Sequence, residues 1–145
     1  MDDFLTRYFR TQRLGPLQAA AAMAVYFAVL EGGGWEYGDL LAKADPLYLE
    51  ATTACLAAIV VAQVVNAFLC RHAEEPATRF RPSDNPLLLT GIAFEIVLVL
   101  AIVYTPAGNA AFGTLPLGAD AWLPMVALAL GIGVLEELRK FLRRR

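Results

Sequence analysis

Four long apolar stretches, each bounded by polar or charged residues, set the rhythm of this 145-residue chain. They cover residues 14–30, 51–69, 86–105 and 122–138, and a run such as IVLVLAIV leaves a helix no polar face to turn toward water. Each stretch is close to the roughly 20 residues a helix needs to cross a hydrocarbon layer. The first and last are slightly short, which tilt or snorkelling flanks accommodate. A soluble four-helix bundle would need polar faces on all its helices, and these runs do not supply them. The pattern predicts an all-α integral membrane protein with four transmembrane helices in two antiparallel hairpins.

Charge then orients the bundle. Of the 12 Lys and Arg residues, 11 fall in three stretches. Arg7, Arg10 and Arg13 precede the first span, and Arg71, Arg79 and Arg81 lie between the second and third. Arg139, Lys140, Arg143, Arg144 and Arg145 end the chain. The other two connections hold only Lys43, so the positive-inside rule places both termini and the middle loop in the cytoplasm. A plasma or cell inner membrane is the expected location. Trp35, Tyr37, Tyr48, Tyr104 and Trp122 then gather near the outer boundary, where amphipathic rings favour the headgroup layer. Residues 1–13 read as an interfacial amphipathic segment, with Phe4, Leu5, Tyr8 and Phe9 on one face and arginines interleaved. Residues 139–145 read as a basic cytoplasmic tail suited to anionic headgroups, or simply as an anchor. The competing reading of the first stretch, a cleavable signal peptide around Ala19 to Ala22, would leave an odd number of spans.

Most soluble chemistry is excluded by what the chain lacks. It holds no G-x-x-x-x-G-K-[ST] loop, no H-E-x-x-H and no nucleophile elbow, and its expected cofactor complement is none. Gly32, Gly33 and Gly34 follow a span and read as a connector. Cys55 and Cys70 fall on one predicted helix, about 22 Å apart at 1.5 Å per residue, too far for a disulfide. His72, the single histidine, has Glu74 and Glu75 nearby, but one imidazole in a solvated loop reads as polar surface, so no metal site is expected.

The residues that stand out are polar ones deep within spans, where an Asp costs on the order of 3 kcal/mol on insertion scales. Glu95 sits at the middle of the third stretch. Gln63 and Asn66, three residues apart in the second, share one helix face. Oxygen-bearing side chains at that depth can replace the hydration shell of a small cation or relay a proton. They can equally hydrogen-bond between helices and hold the bundle together. Glu136 and Glu137 lie at the end of the last span, where Glu136 is spaced to pair with Lys140 and to anchor the helix at the surface.

The segments GPLQAAAAMAVYFAVLEGGGW, ATTACLAAIVVAQVVNAFLCR, NPLLLTGIAFEIVLVLAIVYTPAGN and WLPMVALALGIGVLEELRKFLRRR resemble, in that order, the last four membrane helices of type II P-type cation-transporting ATPases, the group of the sodium/potassium and calcium pumps. The likeness covers nearly the whole chain from Gly15. Its most specific pieces are Q-x-x-N-x-x-x-C-R, Y-T-P and E-E-L-R-K-F. The resemblance implies that Gln63 stands where calcium pumps place a cation-liganding glutamate, and Asn66 where sodium/potassium pumps carry an aspartate near their third sodium site. Glu95 matches a glutamate associated with that same site. Two neutral amides lower the negative charge there, which disfavours a divalent ion. The 20-residue connection 31–50 lacks the sequence with which sodium/potassium pumps dock their accessory subunit.

The family's D-K-T-G-T and T-G-E-S motifs do not occur in this chain, nor do its nucleotide domain and first six helices. The expectation is a C-terminal transmembrane module that supports a transport core and contributes Gln63, Asn66 and Glu95 to an accessory cation or proton site. It is not an enzyme on its own. Its partners would be the bilayer, the remaining helices and cytoplasmic domains of a pump, and a monovalent cation or proton, with no nucleic acid. Beginning at MDDFLTRYFR, it reads as the product of a split or truncated gene or as a stand-alone descendant. The alternative is an independent small membrane protein that assembles with or regulates a transporter. An intramembrane enzyme has only Glu95 as an acid or base and no nucleophile beside it.

Overall fold

The computed structural model describes residues 14–70 and 86–143. The expected interfacial segment, the basic loop with His72, the last two arginines and the side chains of the Glu136–Lys140 pair lie outside the described residues. Among these residues five helices are present, α1 (Leu14–Gly32), α2 (Pro46–Cys70), α3 (Pro86–Tyr104), α4 (Pro106–Phe112) and α5 (Ala119–Arg143). No strand occurs among the described residues.

Helix α1 ends on its glycines. Gly34 takes a φ of 86°, its N–H donates to the Glu31 carbonyl at 3.0 Å, and the Trp35 N–H donates to the Leu30 carbonyl at 3.0 Å. This pair of bonds satisfies the terminal carbonyls and turns Trp35 back toward the helix, its ring 6.2 Å from that of Phe27. Asp45 then caps α2: its Oδ1 accepts from the Leu47 N–H at 2.9 Å, with Pro46 at the first helical position. Apolarity alone put the start of this span at residue 51. The cap moves it to Pro46, so Tyr48 belongs to the helix and not to the connection.

Helix α2 is the hub. Ala51, Ala54, Ala57, Ala58 and Ala62 are all buried, and their methyl-sized side chains let α1 and α5 approach it closely. A Cβ on Gly33 would strike the Leu47 side chain, and far along the pair Gln18 reaches Ala62, so α1 and α2 are antiparallel. Helix α5 runs parallel to α2, with Leu115 beside Thr53 near one end and Gly133 against Val65 near the other. Helix α3 leans on α2 through Val99 and Val103, which join Ala54, Ala57, Ala58, Ala22, Val25, Leu117 and Met125 in one core. Along their lengths α3 and α5 make little direct contact. They meet at the corner built by α4.

That corner is an element the apolar pattern does not reveal. The third stretch was expected to run to 105, but α3 ends at Tyr104 and Thr105 caps a new helix. The Thr105 hydroxyl donates to the Ala101 carbonyl at 2.6 Å and accepts from the Gly108 N–H at 3.0 Å, and Gly113, at φ 63°, ends α4. The fold-back is so tight that a Cβ on Gly108 would lie 2.6 Å from backbone atoms of Ala101 and Ile102. It delivers Asn109 and Thr114 to the open carbonyls of α3. The Asn109 nitrogen, turned toward the oxygens around it, donates to Ile102 at 3.0 Å and Val103 at 2.9 Å, and Thr114 Oγ1 donates to Ile102 at 2.8 Å. Buried Thr53 ties the corner to α2, its hydroxyl accepting from the Leu115 N–H at 3.0 Å and donating to Leu49. Trp122 Nε1 donates to Tyr104 Oη at 2.8 Å, which donates in turn to the Leu117 carbonyl at 2.7 Å.

The surface belongs to hydrocarbon. Phe94 and Val97 of α3 are 68% and 64% exposed, which a soluble bundle would leave facing water. By length and composition α2 (over Pro46–Phe68) and α3 suffice to cross a membrane. The described apolar part of α5, Ala119–Leu135, is shorter, and α1 carries Gln18 and Glu31. Helix α5 continues to Arg143, so residues 139–143 of the expected tail are helical.

Replacing Gly108 with Ala is expected to destabilise the folded chain by about 1–3 kcal/mol, because backbone and not a movable side chain opposes the new methyl. Gly91→Ala, where the space is open, is the control. Reversible unfolding in mixed detergent micelles measures both, and equal stabilities would disprove the tight α3–α4 contact.

Candidate functional site

The three polar residues singled out from sequence lie on α2 and α3, Gln63 and Asn66 on the first and Glu95 on the second, without bonding to one another. Val99 and Val103 of α3 share one core with Ala54, Ala57 and Ala58 of α2. The bond from Leu115 to Thr53 and those from Thr114 and Asn109 to Ile102 and Val103 bring the end of α3 to the start of α2, so the two run antiparallel. Four residues back along α3 from Val99 is Glu95, and four residues on from Ala58 is Ala62, each step about 6 Å. Glu95 therefore lies near the depth of Ala62 and Gln63.

Their surroundings differ. Glu95 is half-buried, three residues after buried Ile92 and four before buried Val99, so it falls on the packed stripe of α3. Gln63 is exposed, one turn beyond exposed Ile59. Asn66 is half-buried and engaged in an interaction of its own. Neither the Gln63 amide nor the Glu95 carboxyl hydrogen-bonds within the described residues.

A fourth polar group at this level was passed over in the sequence. Gln18 of α1 donates from Nε2 to the Ala62 carbonyl at 3.2 Å. It is an amide inside an apolar stretch, the same signal that marked Gln63, but it lies near the end of its span. Asn109, Thr114 and Thr53 also escaped notice. They serve the corner, and only the fold-back of α4 brings them together.

Among the described residues no three His, Cys, Asp or Glu side chains gather as metal ligands. What the level offers is amide and carboxyl oxygen, with one formal negative charge when Glu95 is ionised. That donor set can hold a weakly hydrated monovalent ion or pass a proton, and it is poor for a divalent one.

The family described as "Cation transporting ATPase, C-terminus" matches residues 5–142. The chain belongs to that family. Among relatives of this cation transporting ATPase C-terminal region, the sodium/potassium-transporting ATPase subunit alpha of Drosophila melanogaster is 28% identical over 92% of the chain. A probable cation-transporting ATPase F of Mycobacterium bovis is 31% identical over 66% of it. The endoplasmic reticulum calcium ATPase srcA of Aspergillus fumigatus is 30% identical over 66%. The matched regions span 15%, 10% and 10% of those proteins. The chain is thus a C-terminal module of the P-type cation-transporting ATPase kind, a membrane protein.

Packing and site roles predict opposite signs. Glu95→Leu removes a carboxyl that no described side chain pairs, so the isolated chain is expected to gain about 1–3 kcal/mol in detergent unfolding. A loss of that size would mean that the carboxyl holds helices together.

Proposed function

We propose that the chain acts as the membrane-embedded rear portion of a P-type cation pump: four transmembrane helices in two antiparallel hairpins, spanning 14–138. In this reading both termini and the 71–85 loop face the cytoplasm of a cell bounded by a plasma or inner membrane. Gln63, Asn66 and Glu95 contribute to an accessory site for a monovalent cation or a proton. ATP hydrolysis belongs to cytoplasmic domains supplied by the rest of the pump.

One observation carries this reading. Gln63 is exposed within the apolar length of α2, and Glu95 is half-buried at the middle of α3. Facing lipid, such groups have no partner and cost several kcal/mol together. Covered by a further helix of the transport core, they become ligands in a protein-lined cavity. The separation of basic clusters supports the orientation, and the family relationship supports the assignment to a pump. The names of the relatives cover sodium/potassium and calcium transport, and the two amides here favour the monovalent case.

The test is reconstitution. The full chain is co-expressed with a fragment of a related pump carrying its first six helices and cytoplasmic domains. The expected outcome is a co-purifying complex with cation-stimulated ATPase activity, whose cation dependence shifts in Glu95→Gln while assembly is unchanged. If the two parts do not associate, the pump reading fails. If they associate and Glu95→Gln leaves the cation dependence as it was, the accessory site is wrong and a scaffold role remains.

A further inference from the structure

We propose that Gln18 is a positioning residue for this site, a strut from α1 that fixes how α2 presents Gln63 and Asn66. The inference rests on the reading of Gln63, Asn66 and Glu95 as a cation or proton site.

Ala62, whose carbonyl accepts from Gln18 Nε2 at 3.2 Å, immediately precedes Gln63. In an α-helix the same carbonyl is the acceptor for the N–H four residues on, which is that of Asn66. Two donors therefore meet on one oxygen: the Asn66 backbone and the Gln18 amide. A side-chain donor entering the helical ladder draws the carbonyl outward and lengthens the bond it shares. The pitch of α2 at Asn66, and with it the direction of Gln63, depends on whether Gln18 is engaged.

No neighbour on α1 replaces that donor. Ala62 is only 6% exposed, so its carbonyl is shielded by the α1 contact. The α1 residues one turn either side of Gln18 are Leu14, Gly15, Ala21 and Ala22, none with a polar side chain. In a medium without water the bond is electrostatically stronger than at a wet surface. Gln18 does not reach the proposed ligands itself. It acts on the backbone that carries them.

The experiment uses the full chain, labelled with 13C at alanine carbonyls and 15N along the backbone, assembled in lipid bilayers with the unlabelled pump fragment that supplies the remaining helices, and read by solid-state NMR. The probe is sodium chloride, with choline chloride as the ionic-strength control. In Gln18→Met, nearly isosteric but without a donor, the Ala62 carbonyl and Asn66 amide signals are expected to move while those of Ala54 and Ala57 stay. The sodium midpoint read at Gln63 and Glu95 should rise about tenfold, the effect usual for losing a group that orients ligands. Gln18→Asn keeps the amide but falls one methylene short. It should displace the same two signals, which separates reach from general polarity and guards against a folding defect in the first variant. Unmoved Ala62 and Asn66 signals in both variants overturn the proposal, as does an unchanged sodium midpoint in a chain that otherwise responds to sodium. A wild-type complex, assembled with that fragment, whose Gln63 and Glu95 signals ignore both sodium and pH overturns the site reading and this inference with it.

Discussion

Inside a bilayer two helices gain little by hiding apolar surface from each other, because lipid tails are as apolar as leucine. What remains is close packing, and in this chain it is concentrated on one face of α2. Ala51, Ala54, Ala57, Ala58 and Ala62 present a surface with no side chain longer than a methyl group, so α1 and α5 both come near it. Every other feature is placed by that approach. It brings Gln18 within reach of the Ala62 carbonyl, sets Gly133 against Val65, and leaves a flank of α2 on which Val99 and Val103 settle.

Polar groups divide into two populations by how they are answered. At the α4 corner each is matched: Thr53, Thr105, Asn109 and Thr114 pair with backbone groups at the ends of α2, α3 and α4, and Tyr104 links Trp122 to Leu117. At the level of Ala62 the Gln63 amide and the Glu95 carboxyl stay unanswered within the described residues. Ionisable and amide groups at that depth are rare, and these two are the basis of the proposed site. The first population builds the module, and the second points beyond it.

Apolar run length made the helical class and the approximate spans legible, because a membrane demands about 20 apolar residues whatever the fold. Boundaries were less so. The start of α2 is set by the Asp45 side chain and Pro46, five positions before the apolar run, and the end of α3 by Thr105 and the return of α4. Pairing was the least legible. Alternating charge predicts two antiparallel hairpins, but it does not say that α3 settles on α2 through Val99 and Val103, a contact made at the alanine face. Glu95 and Gln63 were visible as polar breaks in apolar runs. Gln18 gave the same kind of break, yet its target is a backbone carbonyl, and no sequence pattern marks one carbonyl among many.

The tight seat of Gly108 on Ala101 and Ile102 constrains how the module can deform. With the last turn of α3 stitched to α4, and the connection after α4 tied to α2 through Leu115 and Thr53, α3 cannot slide along its neighbour without breaking several bonds at once. The corner makes Tyr104 the fixed end of α3 as a lever arm, with Val99 and Val103 seated in the core beside it. Glu95 lies about 14 Å along that lever, so a swing of about 10° carries its carboxyl about 2 Å sideways while the corner stays still.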